Sequence, residues 1–120
     1  MTRRRDLPLF HWSPIERRPQ ILRHGLRPAQ RSTTNSDDWR APHVCFADTP
    51  SWAWCLSAGC VGAPGSEWDL WQTWFYELDG RKVIRDATRP SGIYEVRTTV
   101  RVPKSALWHV GTRTRGRTAR

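Results

Sequence analysis

The chain has 120 residues, 38% of them hydrophobic, and eight tryptophans carry much of that apolar content, which suits one domain with one aromatic-rich core. It contains no apolar run of the length a membrane span needs, and Arg3-Arg4-Arg5 is followed by no apolar stretch of the secretory kind, so the expectation is a soluble, cytoplasmic protein. Net charge is +9, from 20 Lys+Arg against 11 Asp+Glu, and only Lys82 and Lys104 are lysines. Arginine matches phosphates with a planar fork and stacks on bases, so the imbalance points to nucleic acid or a nucleotide as partner.

The arginines at the two ends mark a basic arm over 1–8 and a basic tail over 112–120, with a single domain over 9–111 between them. Leu9-Phe10-His11-Trp12 has the apolar and aromatic content of a buried strand, which Pro14 ends. Residues 15–26 then read as a turn and a short helix. Pro19 suits its first turn, Gly25 the left-handed position past its end, and Leu26 can fold back on Ile21. His11 is the titratable residue inside the strand, to be read either as a ligand-binding group or as a satisfied core histidine. His24 reads as a helix-ending cation.

Residues 27–42 form a long polar connection, which in a small domain is disordered or functional. Trp39, between Asp38 and Arg40, reads equally as part of a lid or as an anchor. Arg31, Trp39 and Arg40 are the nucleic-acid-binding candidates of this loop. His43 to Ala47 is a second buried strand, and Thr49 caps a helix starting at Pro50, with Trp52, Ala53 and Leu56 turned inward. Trp68 to Leu78 fits a helix by its tryptophan spacing, but its aromatic and Thr content favours a strand. Those tryptophans suit core packing better than base stacking.

Asp79-Gly80 reads as a tight turn and Lys82–Ile84 as a short strand. From Ile93 to Val102 the chain alternates, with Tyr94, Val96 and Thr98 on one face and Glu95, Arg97 and Thr99 on the other. Glu95 is then either a functional carboxylate or a surface partner of Arg97 or Arg101. Residues 106–111 give a last strand. The total is about five strands and two short helices: an α+β fold with a small mixed or antiparallel sheet. Cys45, Cys55 and Cys60 match no common zinc spacing and read as free thiols, so no metal is expected.

The series Phe10-His11-Trp12-Ser13, Ile21 to Pro28, His43 to Ala53, Ile93 to Arg97 and Pro103 to Leu107 resembles the ADP-ribosyltransferase-like superfamily, including its NAD-dependent RNA 2′-phosphotransferases. These segments cover about half the chain, in the family's order. The resemblance implies a split sheet whose cleft holds NAD. It implies that His11 hydrogen-bonds a ribose, and that Glu95 stabilises the cation formed as nicotinamide leaves. His11, Trp12, Ser13, Arg23, Arg27, His43 and Phe46 are the implied cofactor-binding residues. The carboxylate would serve because cleaving an N-glycosidic bond builds positive charge on the ribose, and a neutral His can donate to a ribose hydroxyl. Trp12 stands where the family has Gly, and Cys45, Phe46 and Ala47 stand where it has Tyr or His and Ser. The alternative is therefore a binding-only member of the fold, recognising nucleic acid or a nucleotide. A toxin or phage-type effector is a third reading.

Overall fold

Strand β1 (Pro8–Pro14) is the central element, and β2 (Val44–Ala47), β3 (Glu67–Trp74), β4 (Val83–Thr88), β5 (Tyr94–Thr98) and β6 (Trp108–Thr114) join it in one sheet of order β4-β5-β2-β1-β3-β6. The computed structural model describes residues 6–28, 43–57, 63–78, 83–88 and 94–116, with the backbone alone for 83–88. Expectations for Arg31, Trp39, Arg40 and Cys60 lie outside the described residues. Six strands are found where about five were expected, and every pairing is antiparallel. With two short helices, this is a small α+β fold.

The sheet is not uniformly knit. β1 pairs with β3 over seven residues, from Pro8↔Trp74 to Pro14↔Trp68, and β2 pairs with β5 over all four of its residues. Between β1 and β2 the register holds a single pair, Phe10↔Ala47. The ladder therefore opens toward Pro14 and Val44.

Helix α1 (Arg18–His24) follows a 3₁₀ turn over Ile15–Arg17 and has Pro19 in its first turn. It ends at Gly25, whose φ of 80° only glycine adopts without strain and whose N–H bonds the Ile21 carbonyl at 2.8 Å. A Cβ there would also run into the Val102 carbonyl, because Leu26 and Val102 pair their backbones next door. Helix α2 (Pro50–Leu56) starts as the sequence suggests, with Thr49 Oγ1 accepting from Trp52 N–H at 3.1 Å. Its inward residues are Ala53, Trp54 and Leu56. Trp52, expected inside, is 40% exposed, because the helix presents the opposite tryptophan to the sheet.

The two helices lie on opposite faces. On the α1 face, Leu9, Phe46, Trp71 and Val96 pack with Ile21, Leu26 and Val102. On the α2 face, Trp12, Cys45, Ala47, Trp68 and Leu70 pack with Ala53, Trp54 and Leu56. Alternation along each strand makes this division strict. It also overturns the expected polar face of β5: Glu95 and Arg97 are 0% and 2% exposed, since β5 lies inside the sheet and both its faces are covered. The strand stops at Thr98 rather than running to Val102.

β6 continues past the expected end of the domain. Thr112 and Arg113 pair with Asp69 and Trp68, and the Arg115 backbone exchanges hydrogen bonds with Gly65 and Ser66. Arg113 and Arg115 therefore belong to the folded body. No described helix is long and apolar enough to cross a membrane.

Candidate functional site

His11 stands on the α1 face, opposite Trp71 in the register and with its ring 5.8 Å from that of Phe46. Where the β1–β2 ladder opens, its ring bridges the two strands. Nδ1 lies 2.8 Å from the Cys45 carbonyl oxygen. A carbonyl only accepts, so Nδ1 carries the proton and Nε2 is the bare acceptor of a neutral ring. Burial favours that neutral form most strongly, and Arg17 adds to it; both outweigh the bond to Cys45 and lower the pKa from 6.5. His11 can therefore accept from a ligand hydroxyl. The donation to a ribose expected from the sequence is not available, because its one N–H is already used.

Glu95 is on the other face. Its Oε2 accepts from Arg97 Nε at 2.8 Å and from the Cys45 thiol at 2.7 Å, and Oε1 lies 3.4 Å from Arg97 Nη2. Burial is the main influence raising the Cys45 pKa, and the neighbouring Glu95 adds to it, so the thiol stays protonated and donates. The Arg97 partnership was anticipated, but as a surface contact. A carboxylate enclosed in this way meets no solvent and no ligand.

The remaining cofactor candidates divide similarly. Trp12 faces α2 and donates its Nε1–H to the Pro50 carbonyl at 2.8 Å, fixing the helix start to the sheet. Ser13 is buried on the α1 face and accepts from Trp71 Nε1 at 3.1 Å. Phe46 is fully buried core, so it cannot stack a nicotinamide. His43 is buried just ahead of β2. Arg23 and Arg27 are exposed at the end of α1. The structure thus brings His11 and Ser13 to one face and separates both from Glu95.

A second polar constellation was not legible in the sequence. Asp69, fully buried on β3, accepts from Arg18 Nε at 2.8 Å and Nη2 at 2.7 Å, from His109 Nε2 at 2.8 Å and from Thr112 Oγ1 at 2.9 Å. His109 and Thr112 are three apart and would point to opposite faces in a regular strand. A bulge opposite Leu70/Trp71 brings both to Asp69. Burial works against the charge on Asp69, but the bonds from Arg18, Thr112 and His109 prevail and hold its pKa below 3.8. This network ties β6 and the start of α1 to the middle of the sheet. The sequence signal was a lone Asp inside an apolar strand.

Cations gather at the end of α1. Arg101 Nη1 donates to the His24 carbonyl at 2.7 Å. Partial desolvation, then Arg27, Arg23 and Arg101 in turn, lower the pKa of His24. Lys104 begins the turn whose backbone abuts Gly25. Arg23 and Arg27 form no ion pair among the described residues. No three His, Cys, Asp or Glu side chains among the described residues are placed to hold a metal ion. Comparison of the chain with protein families and with curated proteins finds no match.

Proposed function

We propose that this protein binds a phosphate-bearing polyanion, nucleic acid in the first place, through the cationic surface at the end of α1. The convergence of Arg23, Arg27 and Arg101 on His24 carries this reading. Net charge is +9, and the buried Glu95 and Asp69 are matched by Arg97 and Arg18, so these two pairs leave that excess of positive charge unchanged. Fluorescence anisotropy with a labelled oligonucleotide across a salt series tests it. Affinity should fall steeply with salt, and Arg23→Glu with Arg27→Glu should weaken binding and flatten the slope by about 2. Salt-independent binding, or none, defeats it.

A second reading keeps the ADP-ribosyltransferase-like resemblance as a binding function. The opening between β1 and β2, with the neutral His11 Nε2 and Arg17 near it, supports an NAD-type nucleotide there, a ribose hydroxyl donating to the ring. Glu95 has no part in this reading, so it includes no transfer step. Calorimetry with NAD on the wild type and His11→Ala tests it: loss of binding in the variant supports the site, and no heat with the wild type removes it.

A further inference from the structure

α2 covers only one end of its face of the sheet. Its partners Trp12, Trp68 and Leu70 lie toward the Pro14 end of β1. At the other end the register sets Phe10, Gln72 and Trp108 side by side on β1, β3 and β6, and puts Trp74 two residues along from Gln72. Residues paired directly across antiparallel strands share a face, so all four belong to the α2 face. Phe10 packs against the edge of the α2 cluster, whereas Gln72, Trp74 and Trp108 take no part in it. Phe10, Gln72 and Trp74 are half-buried and Trp108 is 44% exposed. The Trp74 ring stacks on that of Tyr76, with centroids 6.5 Å apart and planes 17° from parallel. Tyr76 is itself 38% exposed.

We propose that this end of the sheet is a stacking platform for the unpaired bases of a single-stranded nucleic acid, an inference that rests on the polyanion reading above. The platform spans three strands, about 10 Å, and it offers flat aromatic surface around one amide, Gln72, able to bond a base edge. Its surroundings supply the charge a phosphate chain requires. Lys104 precedes Trp108 on the same segment, and exposed Arg113 lies farther along β6 on the same face, at the end that α2 covers, above Trp54 at 4.1 Å. Lys104 also adjoins the end of α1, so residues 103–108 run from the cationic surface on the α1 face to β6, the edge strand that presents Trp108 on the α2 face. A duplex hides its base faces in its own stack, whereas a single strand exposes them to Trp, Tyr and Phe. The platform is thus a device for choosing single strands, added to a charge that takes either.

The test compares a labelled oligodeoxythymidylate with a hairpin duplex of equal length, using the full chain at fixed salt. Trp108→Ala is expected to weaken single-strand binding roughly tenfold, Trp108→Phe to retain most of it, and both to leave duplex binding unchanged. The salt slope should not move, since stacking releases no counterions. Trp74→Ala is a second probe, each variant being checked for native circular dichroism. If Trp108→Ala and Trp74→Ala both leave single-strand affinity intact while Arg23→Glu with Arg27→Glu reduces it, the platform is refuted and the cationic surface stands. Equal loss for single strand and duplex also refutes it. If the wild type binds neither probe at low salt, the polyanion reading falls and the platform with it.

Discussion

The His11 ring and the Glu95 carboxylate stand on opposite faces of the sheet, although β2 alone separates their strands. Strand alternation enforces this. Glu95 shares a face with its register partner Ala47, and Ala47 with Phe10, so the residue after Phe10 must point the other way. The pair therefore cannot close on one ribose, and each residue has a separate role with a separate consequence.

For Glu95 that role is structural. Glu95→Gln removes the charge that Arg97 is buried against and weakens the acceptor of the Cys45 thiol. Breaking a buried pair from one side should cost about 3–5 kcal/mol in urea unfolding. A substrate-facing carboxylate would behave otherwise, with stability kept or raised on neutralisation.

Asp69→Asn should destabilise by about 1–3 kcal/mol, because the Arg18, His109 and Thr112 donors lose a charged acceptor. The folded pKa of Asp69 lies below its unfolded value, so the unfolded chain binds the proton more readily in acid. Its contribution is present above about pH 4 and is lost as pH falls through the folded value. Urea midpoints of wild type and variant should differ at neutral pH and converge as the pH falls below about 4.

His11 contributes in a different window. Its folded pKa is lowered, so below 6.5 the unfolded chain takes up a proton that the folded chain refuses. Stability is fully present above 6.5 and declines as pH drops toward the folded value. His11→Asn should flatten the wild-type decline between about pH 7 and pH 5, but only in part, since His24 is lowered as well. An unchanged slope would contradict the neutral, Cys45-bound ring.

Cys45 and Cys55 should differ sharply toward iodoacetamide in the native protein. Cys55 is exposed on α2, whereas Cys45 is buried and held as the thiol. Peptide mapping should find Cys55 alkylated within minutes and Cys45 only after denaturation, because the thiolate is the nucleophile. Equal labelling would mean that the core around Glu95 opens readily.

Local features were the legible part of this sequence. Pro19, Gly25, Thr49 and Pro50 set the ends of both helices, because caps and turns depend on neighbours a few residues away. The strands were likewise announced by apolar and β-branched runs, and Cys45 by its apolar setting. The excess of arginine, fixed by composition alone, already pointed to a polyanion.

What lay beyond the sequence depends on order and pairing. Nothing in Ile93 to Val102 says that β5 sits between two other strands, so its charged residues looked like a solvent face and proved to be a buried ion pair. Nothing near Asp69 announces Arg18, His109 or Thr112, which are 40 or more residues away and meet it only through strand order and a bulge. Whether Trp52 or Trp54 faced the sheet was decided by the angle at which α2 docks. The opening between β1 and β2 was likewise invisible, since ladder length is a property of two strands together and not of either one.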